Sequence, residues 1–444
     1  MAQISGLWRR VSISWVVLSV ERWSMTTMMP WWRREPLFDE IASSLSDVLT
    51  IDFHTHLLAR GFFDPSLDDR VQLRGRSTEL SYAAALTERF GVEVGAGGLE
   101  AAASEAGRVR GEMIDRLGLE GYWNDHLDFT KTEIALVSQS SSEGVDGRRL
   151  RWVPTGGSLL YPLPAEALMA RSSTQEEDFA FVQGRLQELL DDRGMSEAPS
   201  TFDDYLTFAD DVVARWKDQG AVGIKFFEAY VRILLFEDVP LEEAKVLYRR
   251  GLEAPLSRAE YLAVQDHLAR HVFGKAGETG LSVHIHTGFG IPPFLQVREA
   301  DVRNLEPVLT DTRFFDTQFV LIHGGNPHHE EAAYLAQKPH VWVDISALPF
   351  VYEVPRLADI IRVYLRQAPE KVLFGTDAQA APGVPVGPEV QHIALSRHLR
   401  EALYLALAWM VRDQLVDLEW AIRIGEGVLR GNAERLIGPA TTTV

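Results

Sequence analysis

Short apolar runs separated by amphipathic stretches recur along most of the chain. Runs rich in Val, Ile, Leu and Phe at 48–53, 134–137, 150–154, 221–227, 281–286, 319–323, 340–345 and 371–375 have the length and residue types of buried strands. The segments 202–217, 242–250, 259–273, 330–337 and 354–367 carry instead the three-to-four-residue spacing of helices that bury one face. Eight such strands joined by helical crossovers predict an α/β fold of the (β/α)8 TIM-barrel type, in which the strand C-termini form the functional face. A leading helix is expected over 31–46, with Leu37, Ile41 and Leu45 on one side. Past the eighth strand, Leu395, Leu399, Leu403 and Leu407 form a stripe that belongs in a core, and further helices follow. Asn432 is expected to cap the last of them, over 433–437.

Two stretches depart from this rhythm. Residues 59–131, between the first and second strands, are helical in character, rich in Gly and Ala, and end in the aromatic-polar run 122–126. An insertion of that length directly after a strand of the functional face predicts a lid or a substrate-shaping element, and it brings His126 as a further candidate. At the N-terminus, Trp8-Arg9-Arg10 precedes an apolar run over 11–20, shorter than the about 20 residues of a membrane span and without a small-residue cleavage site after it. Residues 1–30 are therefore read as an extension that is non-native or disordered, with Met25, Met28 or Met29 as alternative first residues, and 31–444 as a single barrel domain.

Composition narrows the function classes. With 46% hydrophobic and 24% charged residues the chain has the make-up of an ordinary globular protein. A net charge of −19 argues against a nucleic-acid partner, whose phosphates must be met by Lys and Arg. No cysteine is present, which excludes disulfides, thiolate nucleophiles and thiolate-bound zinc together. A cytoplasmic protein without a membrane partner is expected, and the sequence leaves homo-oligomerisation open.

The ends of the predicted strands carry the chemistry. The first ends in His54 and His56, the fourth in Lys225, the fifth in His284 and His286, the sixth in His323 and the eighth in Asp377. Neutral imidazoles and a carboxylate converging on one rim from chain-distant strands are what a divalent ion requires. In a regular strand His54 and His56 share one face, with Phe53 and Thr55 turned to the other. By the same period His284 lies one layer below His286 and is read as a hydrogen-bonded interior histidine. His328 and His329 are read as surface or cap residues, and His392 and His398 are given no chemistry. Glu228 and Tyr230, just beyond Lys225, are candidates for touching a substrate.

The ordered set IDFHTHLL, VGIKFFEAY, HIHTGFG, VLIHGGNPHHEEAAYLA with VWVDIS after it, KVLFGTDA and VLRGNAERLIG resembles the amidohydrolase superfamily. Within it the chain is similar to the amidohydrolase-like proteins related to the domain fused to glutamine synthetase. The resemblance implies a metal-dependent hydrolase that cleaves a C–N or ester bond of a small molecule with metal-activated water. It implies His54, His56, His286 and Asp377 as ligands of one or two divalent ions, zinc first and manganese or iron as alternatives. Asp377 would double as the base. His323 would polarise the substrate, transfer a proton or bind a second ion, and Lys225 would be a bridging carbamate or an ammonium that pairs with a substrate carboxylate. Two other readings stand beside this one: a decarboxylase or sugar-acid isomerase on the same barrel, and a non-catalytic barrel with a partner-binding role.

Overall fold

Thr50–Thr55 forms the first strand, β1, and every residue of it is buried. Its buried polar side chains are hydrogen-bonded in place, Thr50 Oγ1 donating to the Lys131 carbonyl (3.1 Å) and Thr55 Oγ1 to the Leu136 carbonyl (3.2 Å). In the computed structural model, which describes residues 30–58, 76–164, 173–290, 295–380 and 386–438, seven further strands follow. They are β2 (Thr132–Ser138), β3 (Leu150–Val153), β4 (Gly223–Phe226), β5 (Ser282–His286), β6 (Phe319–Ile322), β7 (Val341–Asp344) and β8 (Val372–Leu373). All neighbouring pairs are parallel and run in chain order, as β1-β2-β3 and as β4-β5-β6-β7-β8. Backbone hydrogen bonds bridge the two sheets at both seams. Val222 N–H donates to Trp152 (3.0 Å) and Lys225 N–H to Pro154 (2.8 Å) at one; Phe53 N–H donates to Phe374 (2.8 Å) and Asp377 N–H to His54 (2.7 Å) at the other.

Thirteen α-helices accompany the strands among the described residues. The first is α1 (Phe38–Leu45), preceded by a short 3-10 turn over Trp31–Arg34, so the expected leading helix is split at Glu35. Next come α2 (Arg76–Phe90) and α3 (Gly98–Phe129), the latter broken at Gly118, whose φ of 72° is not helical. Helices α4 (Ser173–Asp191), α5 (Phe202–Asp218), α6 (Leu241–Glu253), α7 (Arg258–Glu278), α8 (Glu306–Leu309), α9 (His329–Leu335) and α10 (Val354–Gln367) lie between the strands. The chain ends with α11 (Pro388–Arg412), α12 (Leu418–Glu426) and α13 (Asn432–Ile437). Caps explain where some of them begin: Ser257 and Glu260 close a reciprocal capping box on α7, and Asp417 accepts from Trp420 N–H (2.7 Å) at the start of α12.

Two apolar layers hold the sheets. Ile51, Phe53, Ile134, Leu136, Val320, Ile322 and Leu373, drawn from strands of both sheets, form one cluster. The larger core includes Ile224, Phe226, Val283, Ile285 and Leu321 together with helical residues such as Val264, Leu268 and Phe273 of α7. The leucine stripe of α11 is buried as its spacing predicts, with Leu399, Leu403 and Leu407 at 0% exposure.

Three expectations need correction. Asn432 does not cap a separate helix: its Nδ2 donates to the carbonyls of Pro369 (2.9 Å) and Val372 (2.7 Å), tethering the C-terminal helix to β8. His329 is buried, not on the surface, and its Nδ1 lies 2.9 Å from Tyr364 Oη. Strict alternation also fails in β1, where the register shifts between Asp52 and Thr55. Phe53 therefore enters the cluster shared by both sheets, with its ring 4.9 Å from that of His284. Within the expected insertion, residues 59–75 lie outside the described residues, as does the extension up to residue 29. Its helices α2 and α3 pack through Tyr82, Leu86, Phe90 and Ala106 against Val390 and Ile393 of α11.

Candidate metal centre

The strand ends bring the predicted residues to one cavity of about 60 Å³, lined by His54, His56, Lys225, Tyr230, His286, His323 and Asp377, together with Ser138, Thr155, Phe227 and Gln379. None of the described residues of α2 or α3 lines it, and neither does Glu228.

Asp377 is the hub. Its Oδ1 lies 3.3 Å from His54 Nε2 and 3.4 Å from His56 Nε2. His56 Nδ1 is 2.9 Å from the Ser138 carbonyl, which can only accept, so Nδ1 carries a proton and in the neutral ring Nε2 presents a lone pair toward Asp377. A lone pair facing a carboxylate oxygen at that distance is repulsive unless a cation stands between them. His54 Nε2 is likewise buried and makes no hydrogen bond. Two ligand atoms about 2.0–2.1 Å from one ion in tetrahedral array lie about 3.3–3.4 Å apart, which is the spacing found. His54, His323 and Asp377 each offer an atom within 4.8 Å of one another. The donor set thus fits a divalent ion.

The protonation states agree. Burial, with help from the Lys225 charge, holds His54 well below the usual imidazole range and His286 at about 3. Burial also holds His323 well below that range. These rings are neutral at physiological pH, as ligands must be. Burial alone would raise the Asp377 carboxyl, but the imidazoles of His54, His56 and His323 beside it outweigh that and hold the group well below the carboxylate range.

His323 and His286 are positioned by different means. Ser346 Oγ donates to Asp344 Oδ1 and accepts from His323 Nδ1 (2.9 Å), which leaves His323 Nε2 as the lone-pair nitrogen. His286 Nε2 donates to the Phe289 carbonyl (2.7 Å), so in this arrangement its Nδ1 is the nitrogen with the lone pair. The rings of His286 and His323 are 4.5 Å apart, and Tyr230 lies 4.7 Å from His286. Both His323 (φ 68°) and Asp377 (φ 60°) occupy the left-handed region, a strain that collects at functional sites.

Lys225 Nζ enters the cavity buried and without a hydrogen-bond partner, and burial pushes it down to about 8 against the pull of Asp377, Asp344 and Glu228. Glu228 sits behind it, fully buried and pushed up to about 7 by burial. His284 is the interior histidine its position predicts, 2.8 Å from Ser282 Oγ. Ser138, Thr155, Gln379, Asp344 and Ser346 escaped the sequence reading; the last two stand in the VWVDIS segment, directly after a strand core, where charged and hydroxyl residues were a usable signal.

The β5 and β6 ends interlock. Thr287 Oγ1 donates to the Ile322 carbonyl (2.7 Å) and accepts from Gly325 N–H (3.0 Å). Gly288, at φ 65°, packs so tightly that a Cβ would stand 1.9 Å from the Asn326 carbonyl oxygen. Gly288→Ala is therefore expected to cost more than the about 1–3 kcal/mol of a strained left-handed residue, because the obstructing atom is backbone. Urea unfolding measures it, and a wild-type midpoint would refute it.

A sequence profile of the amidohydrolase family matches residues 51–438. Among solved structures the fold is similar to that of a protein from Lactobacillus casei provisionally assigned as a metal-dependent hydrolase, with a TM-score of 0.61 and 20% identity over 89% of this chain and 97% of the other. It is also similar to uronate isomerase from Thermotoga maritima (TM-score 0.55, 14% identity, 90% and 97% covered). Glucuronate isomerase from Caulobacter crescentus gives 0.53, 14%, 92% and 95%. No curated protein matches significantly. With the profile spanning most of the chain, the protein belongs to the amidohydrolase family.

Proposed function

We propose that this protein is a metal-dependent hydrolase that uses activated water to cleave an amide-type C–N or ester bond of a small molecule, on a single (β/α)8 barrel domain. The observation that carries the reading is the buried His54 Nε2, which makes no hydrogen bond and lies 3.3 Å from Asp377 Oδ1, with His56 Nε2 3.4 Å from the same oxygen, the spacing of ligand atoms around one cation. His54, His56 and Asp377 would hold the ion, joined by His286 or by His323. An ion so held supplies Lewis acidity, lowering the pKa of water toward neutrality and polarising a carbonyl. Asp377 takes the proton from the attacking water and passes it to the leaving group. Ser138 fixes the tautomer of His56, and Ser346 that of His323. Lys225 and Tyr230 reach the cavity beside them, Lys225 placed to receive an anionic group of the substrate and Tyr230 to pack against it.

The fold likeness to two sugar-acid isomerases supports a second reading, in which the same ion orients a hydroxy-ketone and the proton moves to carbon. A decarboxylase would use the site in the same way. No described helix is long and apolar enough to cross a membrane, and the cysteine-free chain suits a cytoplasmic enzyme. Elemental analysis of the purified protein, with a panel of amides, esters, lactones, uronates and aromatic acids, separates the readings. The expected result is bound zinc, manganese or iron and release of an acid, lost on chelation and restored by the ion. Interconversion of uronates, or release of carbon dioxide, would replace the hydrolase assignment.

A further inference from the structure

Outside the cavity, a chain of buried polar groups runs from α3 to the end of β8. Asp52 of β1 is fully buried. Its Oδ1 accepts from the backbone N–H of Thr376 (2.9 Å) and of His54 (3.3 Å), and its Oδ2 accepts from Thr376 Oγ1 (2.5 Å). Thr376 Oγ1 in turn accepts from Ala378 N–H (3.2 Å). Asp52 thus grips the backbone on one side of Asp377 directly and on the other through Thr376, and between these two holds Asp377 adopts its left-handed φ of 60°.

On its far side Asp52 meets histidines from two helices. His392 Nε2 of α11 lies 3.1 Å from Asp52 Oδ2, in ion-pair range though off the straight hydrogen-bond line. His392 Nδ1 lies 2.9 Å from Nε2 of His126, in the last turn of α3. Asp52, His392 and His126 all have 0% exposure, and none of them lines the cavity. A carboxylate can only accept, so a proton on His392 Nε2 faces Asp52, and His392 Nδ1 then accepts from His126 Nε2–H. The direction of donation along the chain is set from the Asp52 end.

We propose that His392 and His126 are positioning residues for the metal centre. Through Asp52 and Thr376 they hold the turn that aims Asp377, so that ion affinity depends on the docking of α3 onto α11. The proposal rests on the reading of the cavity as a metal site and adds to it a remote determinant, residues that touch neither ion nor substrate. Outer partners that orient ligands typically set metal affinity within a factor of about 10–100.

Cobalt(II) titration of the metal-free, full-length protein tests it, because the visible bands of cobalt report ligand geometry directly. His392→Ala is expected to weaken cobalt binding about 10–100-fold and to change the band shape. His392→Gln, whose side-chain amide can still donate to Asp52, should restore affinity to within about threefold of wild type on the same argument. His126→Ala leaves the Asp52–His392 contact in place and should fall between them; it carries the test if His392→Ala does not fold. Leu399→Ala, a cavity on the same helix, is the control: it should lower the melting temperature and leave cobalt affinity unchanged. Wild-type affinity and spectrum in His392→Ala and His126→Ala would overturn the proposal, as would an equal loss in Leu399→Ala. Absence of cobalt binding by the wild type would overturn the metal reading itself.

Discussion

Replacing Asp377 by Asn is expected to lower kcat by about 10²–10⁴-fold on whichever substrate the panel identifies, the range typical for loss of a positioned general base. The carboxylate has two tasks in the proposed site. It offsets the charge of the ion beside neutral imidazoles, and it accepts the proton of the attacking water. Asparagine keeps the shape and one oxygen but can do neither as an anion. The fold should persist, since the neighbouring turn is held by Asp52 and Thr376 and not by the Asp377 side chain. Circular dichroism, metal content and kcat measured on one preparation check this. A fully active Asn variant would remove Asp377 from the mechanism.

His54→Ala should reduce ion affinity by more than the about 10–100-fold that accompanies loss of an outer partner, because it deletes a ligand atom. The pH dependence of the wild type provides a companion measurement. Protons compete with an ion for imidazole only below the pKa of the metal-free ring. Three ordinary histidines would together cost about 10³-fold in affinity between pH 7.5 and 5.5, about tenfold each. Here burial holds His54 well below the usual range, and does the same for either candidate that joins it, His323 well below that range and His286 at about 3, so two of the three imidazole ligands stay neutral across that interval. Affinity should accordingly fall by no more than about tenfold, with the steep loss displaced to more acid pH. Competition titrations against a chelator at the two pH values decide it, and a thousandfold loss would mean that the rings are solvated.

Much of the architecture could be read from local pattern. Buried parallel strands and one-sided helices leave periodic traces in the chain, and every predicted strand is present within a few residues of its expected bounds. The cavity residues were legible because chemistry-bearing side chains stood where apolar runs stop: His54, His56, Lys225, His286, His323 and Asp377 all line one space. Neighbour-dependent features were not. Phe53 was assigned by strict alternation to the face away from His54, and the register shift in β1 put it into the shared cluster. Glu228 follows Lys225 closely in the sequence, yet the 3-10 turn after β4 carries its carboxylate away from the cavity. His329 and Asn432 owe their roles to Tyr364, Pro369 and Val372, partners that no local window contains.

The sequence by itself determined the α/β class, the order of the strands and the residue types gathered at their ends, because periodicity and strand termini are properties of short segments. Tertiary structure decided which nitrogen of each histidine holds the lone pair, since that depends on acceptors such as Ser138, Phe289 and Ser346 brought in from other loops. It also decided that His126 and His392, 266 positions apart, meet beside Asp52. Proton positions and buried charges respond to everything within a few ångströms, and only the folded chain fixes what lies there.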